Sequence, residues 1–227
     1  MGIEELKPLP FEEAIEAFRG LVPMTADEFY ALAQEARAMA FTVTGVMRMD
    51  VLMDMHTAID KAIAEGETLA DFRNRFDDIM ETRGWTAPPD LAPYRLETVF
   101  RNNVQTAYST GRYKQMVDQK EAFPFWEYDA VNDADTRPEH AAQDGKIYPV
   151  DHPFWDTWYP PNGHRCRCGV NAVHKQELEG VHIESDMPPE MPDKGWNRNP
   201  AKQRWQPDMS KYPEELQEQF LDADSRR

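Results

Sequence analysis

Three prolines fall within the eight residues 86–93, TAPPDLAP, and no helix runs through such a stretch. Proline lacks the backbone N–H and its ring clashes with the preceding turn. The break divides the chain into parts of different character. Before it, the apolar residues recur at helical spacing. Beyond it, a single long helical segment gives way to short extended runs, turns and aromatic clusters.

In the first part, Phe11, Ala14, Ile15 and Phe18 keep helical spacing up to a stop at Gly20. Thr25 and Glu28 have capping-box spacing, which predicts a second helix carrying Phe29, Leu32, Ala33, Ala36, Met39 and Ala40 on one stripe. A third helix is expected from about Asp50 to Glu65, burying Val51, Leu52, Met55, Ile59 and Ile63, with Gly66 as its C-terminal cap. Thr68 should cap a fourth, which buries Leu69, Phe72, Phe76, Ile79 and Met80 and ends at Gly84. The methionines on these stripes read as core.

After the linker a long helix is expected from Tyr94 to about Lys120. Leu96, Val99, Phe100, Val104, Ala107 and Tyr108 form its apolar face. Arg101, Asn102, Asn103 and Gln105 form a polar face whose default reading is solvation, with partner binding as the alternative. Phe125 to Tyr128 read as a strand. The fold class is therefore α+β: a mainly helical region over 1–85, the Pro-rich linker 86–93, a long helix on a small sheet over 94–182, and an extended tail over 183–227. The tail is expected either to wrap a surface through Trp196 and Trp205 or to order only on a partner, and to end in a short helix from Tyr212 to Leu221.

Charge and cysteine usage restrict the partners. Forty-one acidic residues face 25 basic ones, a formal net charge of -16, and no basic run exceeds Arg226-Arg227. Neutralising phosphates requires clustered lysine and arginine, so strong nonspecific nucleic-acid binding is not expected. The first ten residues lack signal-peptide character, and no apolar run approaches the ~20 residues that span a bilayer. Two cysteines suit a reducing cytosol.

The residues with chemical capacity concentrate between Asp129 and Val173, which hold both cysteines and three of the six histidines. Thr136 and Glu139 again have capping-box spacing around Pro138, so a short helix should open near Arg137 and end at Asp144-Gly145. Arg137 and His140 are then i, i+3 neighbours able to form an ion pair that pins the loop. Lys146 to Tyr148 form a short strand, and Pro160-Pro161-Asn162-Gly163 enters a tight turn. A strand is expected next, with His164, Cys166 and Cys168 on one face and Arg165 and Arg167 on the other.

Same-face neighbours on a strand sit ~6.6 Å apart, whereas two sulfurs on one zinc lie no more than ~4.6 Å apart. All three residues cannot converge without a break. A metal site would need His140 beside Cys166 and Cys168, with His164 or water as fourth ligand. Against it stands the reading of the cysteines as small buried apolar side chains. A disulfide across one intervening residue would be strained.

The run Asp135-Thr136-Arg137-x-x-His140, then Asp144-Gly145, then Pro160-Pro161-Asn162-Gly163-x-x-Cys166-Arg167-Cys168 resembles the signature of the phage Mu F-like minor head proteins, the head-morphogenesis family of tailed phages. Ala40-Phe41-Thr42-Val43, the helix RNNVQTAYSTGR (101–112) and Gly195-Trp196-Asn197-Arg198-Asn199-Pro200 are similar to further segments of that family, in the same order. Asp135, Thr136, Arg137, Asp144, Gly145, Pro161 and Gly163 would then be structural signature positions. The resemblance implies a minor, internal virion component made in few copies. It would associate with the portal protein, the major capsid or scaffold protein, assemble in the bacterial cytoplasm, and serve head morphogenesis and DNA packaging or delivery. Some relatives carry cysteines at the positions of Arg137 and His140, which implies a four-cysteine metal site. In this chain the candidate structural zinc ligands are His140, His164, Cys166 and Cys168.

The alternative is a hydrolase with Cys166 as nucleophile and His140 or His164 as base, or with zinc activating water through His140, Cys166 and Cys168. The chain has no Gly-rich phosphate loop, no Gly-x-Ser-x-Gly and no His-Glu-x-x-His. A non-enzymatic role is the expectation.

Overall fold

The computed structural model describes residues 10–31, 40–87 and 93–202, together with 210, 214, 217, 218 and 221. The fold is α+β, as the sequence pattern predicts. Helix α1 (Glu12–Arg19) buries Ala14, Ile15 and Phe18 and stops at Gly20. Strand β1 (Val22–Pro23) leads into α2 (Ala26–Ala31). Here the capping box forms: Thr25 N–H donates to Glu28 Oε2 at 3.0 Å, and Glu28 N–H donates to Thr25 Oγ1 at 3.4 Å. Most of the stripe proposed to continue this helix lies outside the described residues. Strand β2 (Ala40–Phe41) runs parallel to β1.

Helix α3 (Met49–Glu65) buries all five expected apolar residues and also His56, and ends at Gly66 in the left-handed conformation, φ 71°. Helix α4 (Leu69–Arg83) opens on a capping box closed by Thr68 and Asp71 and ends at Gly84, φ 56°. Of its expected core residues Phe72 and Phe76 are buried, while Leu69, Ile79 and Met80 pack at the margin.

Helix α5 (Pro93–Asp118) begins on the last linker proline, which suits a first helical position because its missing N–H would be unpaired there anyway. Residues 88–92 of the linker lie outside the described set. The first fifteen residues of α5 place Leu96, Phe100 and Ala107 in a core shared with α1, α3 and α4. Its C-terminal half gives Met116, Tyr113 and Val117 to a second, aromatic core. One helix thus serves both. Helices α1 and α5 approach so closely at Gly111 that an added Cβ would lie 2.7 Å from Ala14 N.

The second core is built on a three-stranded antiparallel sheet in the order β4-β3-β5: β3 (Phe125–Asp129) in the centre, β4 (Ile147–Pro149) and β5 (Gly169–Val173) at its edges. Alternation along β3 points Trp126 and Tyr128 inward. They meet Trp155 from the short α7 (Phe154–Thr157), together with Trp158 and Tyr159. Tyr113 of α5 stands edge-on to both Trp126 and Tyr159, at 5.5 and 5.0 Å. Such pairs add about 0.5–1.5 kcal/mol each beyond their burial.

The expected strand through His164, Cys166 and Cys168 does not form: β5 starts only at Gly169. Arg165 adopts φ 58°, a left-handed turn that breaks the alternation. The tail does wrap the sheet domain. Glu184 N–H donates to Ile147 O, Asp193 N–H to Asn162 O, and Asn199 N–H to Asp156 O. Trp196 packs edge-on against His164 at 5.0 Å. Trp205, and most of the terminal helix expected over Tyr212 to Leu221, lie outside the described residues.

Candidate metal centre and its docking onto the long helix

Helix α6 (Pro138–Ala141) is one turn, with Pro138 at its start. Its N-cap is Arg137, which makes no side-chain cap bond, so the expected Thr136–Glu139 capping box is absent. Thr136 closes the preceding turn instead, accepting from Asp133 N–H at 3.2 Å and donating to Asp133 Oδ1 at 3.2 Å. The helix ends at Ala141, three residues before the expected Asp144-Gly145, which instead closes the turn that follows. Gly145 has φ 71°, and Asp144 ties the turn to the end of β3 by accepting from Ala130 N–H and Asn132 Nδ2.

This turn delivers His140, 2% exposed, to the two cysteines, 5% and 3% exposed. Its Nδ1 lies 3.8 Å from Cys166 Sγ and 3.6 Å from Cys168 Sγ, and the three donor atoms all fall within 4.8 Å of one another. A tetrahedral zinc with Zn–N ~2.05 Å and Zn–S ~2.3 Å separates nitrogen from sulfur by about 3.6 Å. The spacing and the donor chemistry both fit such an ion. The outer shell is incomplete, because His140 Nε2 is buried without a hydrogen-bond partner among protein atoms. The ring is held by packing instead, edge-on to Trp158 at 6.0 Å.

Cys166 is the thiol held below its usual range. A hydrogen bond from Cys168 is the largest cause, helped by His140 and opposed by burial. Cys168 is pushed up because its proton is engaged by Cys166 and because it is buried. Of the two thiols, Cys166 is therefore the one that ionises more readily.

His164 does not join them. The turn at Arg165 swings it toward α5, where Asn102 Nδ2 lies 2.8 Å from its Nδ1. The same Asn102 accepts from Arg165 N–H at 2.7 Å, and Gln105 donates to Cys168 O at 3.2 Å. On the polar face of α5, Arg101 is exposed and pairs with Glu97, and Asn103 donates to Val99 O, whereas Asn102 and Gln105 face the cysteine loop.

Arg137 does not pair with His140. It donates to His164 O at 3.0 Å and pairs with Asp193 Oδ2 at 3.0 Å, so it pins the loop and the tail together. Gly163 lies against this pair: a Cβ there would collide with the Asp193 carboxylate and lie 3.0 Å from Arg137 Cζ. Pro161 is buried beside it, and Asp135 and Thr136 line a small cavity next to the cysteines.

Sequence reasoning missed several residues. Asp133 grips Arg167 through two bonds of 2.6 Å, which holds its carboxyl down to about 2. Asn162 is fully buried and accepts from Tyr128 OH at 2.9 Å. Asn199, also fully buried, donates to Trp155 O at 2.9 Å. Asn162 and Asn199 carried a signal through their places in Pro-Pro-Asn-Gly and Gly-Trp-Asn-Arg-Asn-Pro, and Asp133 carried none.

Residues 53–171 match the family described as "Phage Mu protein F like protein". The putative capsid assembly protein F of Escherichia phage Mu is 34% identical over 189 residues, 78% of this chain and 43% of that protein. The Mu-like prophage FluMu F protein of Haemophilus influenzae is 35% identical over 168 residues, 69% of this chain and 41% of that protein. The chain therefore spans less than half the length of these relatives. No solved structure gives a significant match.

Proposed function

The chain belongs to the phage Mu protein F-like family, and on that premise we propose that it is a non-enzymatic head-morphogenesis component acting at the portal vertex. The relative from phage Mu is named a putative capsid assembly protein, and assembly into heads means contact with other head proteins: portal, major capsid or scaffold subunits. Packaging or delivery of DNA is the step at which a portal-bound minor component would act. It would work in the host cytoplasm during assembly and reside within the virion.

The observation that carries the non-enzymatic reading is the burial of the one His/Cys cluster found among the described residues. A nucleophilic cysteine needs an exposed thiol, whereas both thiols here are at most 5% exposed and packed on an aromatic core. Within the same reading, His140, Cys166 and Cys168 form a structural zinc centre. It fixes α6 to the cysteine loop, which Asn102 and Gln105 in turn fix to α5.

Affinity capture of the tagged chain from phage-producing cells tests the assembly role. Portal subunits should co-purify, and heads made without this protein should be defective. Normal heads at full titre from a deletion phage would overturn the reading.

A further inference from the structure

The cysteine–histidine cluster offers three donor atoms, and tetrahedral zinc takes four. The fate of the fourth position can be argued from its surroundings. Among the described residues no other His, Cys, Asp or Glu joins the group. His164 lies against Asn102 and Trp196. Asp133 is committed to Arg167 by both oxygens. Arg137 and Arg165, which line the approach, offer only cations, and those are engaged by Asp193 and Glu97.

What the structure does place there is space. A cavity of about 10 Å³ is lined by His140, Cys166 and Cys168 together with Asp135, Thr136 and Arg167 among others. That is room for roughly one water molecule. It is far below the several hundred Å³ of a substrate pocket. A metal ion bound by the three donors would therefore meet solvent on its fourth side, with no room for a substrate-sized group.

We propose that His140 Nδ1, Cys166 Sγ and Cys168 Sγ hold a zinc-class divalent ion whose fourth ligand is a single exchangeable solvent molecule, replaceable by a small monodentate anion. The inference rests on the reading of the cluster as a metal site and adds that the site is open. Open coordination normally marks catalytic zinc. Here the size of the cavity restricts the position to one small ligand, which keeps an accessible metal consistent with a non-enzymatic protein.

The purified full-length chain, loaded with cobalt(II), provides the test. Stoichiometric binding with intense tetrahedral visible bands and a sulfur-to-cobalt charge-transfer band is expected, and added azide should shift the visible bands saturably with one-site behaviour. X-ray absorption of the zinc form should resolve two sulfur and two lighter ligands. Asp135→Asn and His164→Ala should leave the azide-free spectrum unchanged, because neither is a ligand. Tetrahedral cobalt whose spectrum ignores azide, or changes in either variant, would overturn the open position while leaving the metal site standing. Failure to bind cobalt or zinc stoichiometrically would overturn the metal site itself. Should either variant fail to fold, the absorption measurement on the unaltered protein still decides the ligand count.

Discussion

His56 illustrates how much a single buried side chain can dictate. It is 3% exposed, stacked on Phe18 at 4.5 Å and edge-on to Phe41 at 5.3 Å, and its Nε2 has no partner. Burial holds its pKa at about 4, against 6.5 when free. The folded state therefore keeps His56 neutral while the unfolded chain takes up a proton below 6.5. Stability from this group is intact above pH 6.5 and is lost as the pH falls toward 4, by up to about 3 kcal/mol at ~1.4 kcal/mol per unit. Urea unfolding at pH 7.5 and 4.5 should show the loss, and His56→Leu should reduce the difference between the two conditions. Asp133 acts at lower pH: held down chiefly by Arg167, it favours the fold above its ordinary 3.8, and that contribution disappears as pH falls through about 2. Asp133→Asn should therefore be less stable than the parent in urea at neutral pH, with the difference shrinking as the pH falls from about 4 to about 2.

At the scale of elements, α5 determines how the two cores are joined. Its Gly111 lets α1 approach to backbone contact, so Gly111→Ala should force the helices apart and cost about 1–3 kcal/mol. Thermal melting is the readout, with a larger loss for Gly111→Val. Asn102 presents a different case, one amide serving His164 and Arg165 N–H together. Asn102→Ala should cost about 1–2 kcal/mol and should speed amide exchange in the cysteine loop more than in β3. The caps of α2, α3 and α4 and the buried stripes of α1 and α3 were legible in the sequence because each depends on residues three or four apart, whereas the capping box expected at Thr136 and Glu139 did not form. The role of the polar face of α5 was not legible, because Asn102 and His164 are 62 residues apart and no local pattern records their meeting.

For the whole molecule, the candidate metal would couple the sheet domain to the helical core through the cysteine loop. Zinc present at a thousand times its dissociation constant stabilises a fold by about 4 kcal/mol, which for a chain of this size is roughly 10 °C in melting temperature. Chelation should lower the melting temperature by that order, and a metal-free protein of equal stability would exclude the zinc reading. The α+β plan, the proline break before α5 and the signature window all follow from the sequence alone, since proline chemistry, capping and periodicity are local. The convergence of His140 on Cys166 and Cys168, and the exclusion of His164, were decided only by tertiary structure. Arg165 takes up a left-handed backbone there, a conformation that the side chain disfavours, while Asn102 accepts its N–H and Asn102 also meets His164. Contacts made by a distant helix thus overrode the local preference for a strand and left two thiols and one imidazole facing a common point.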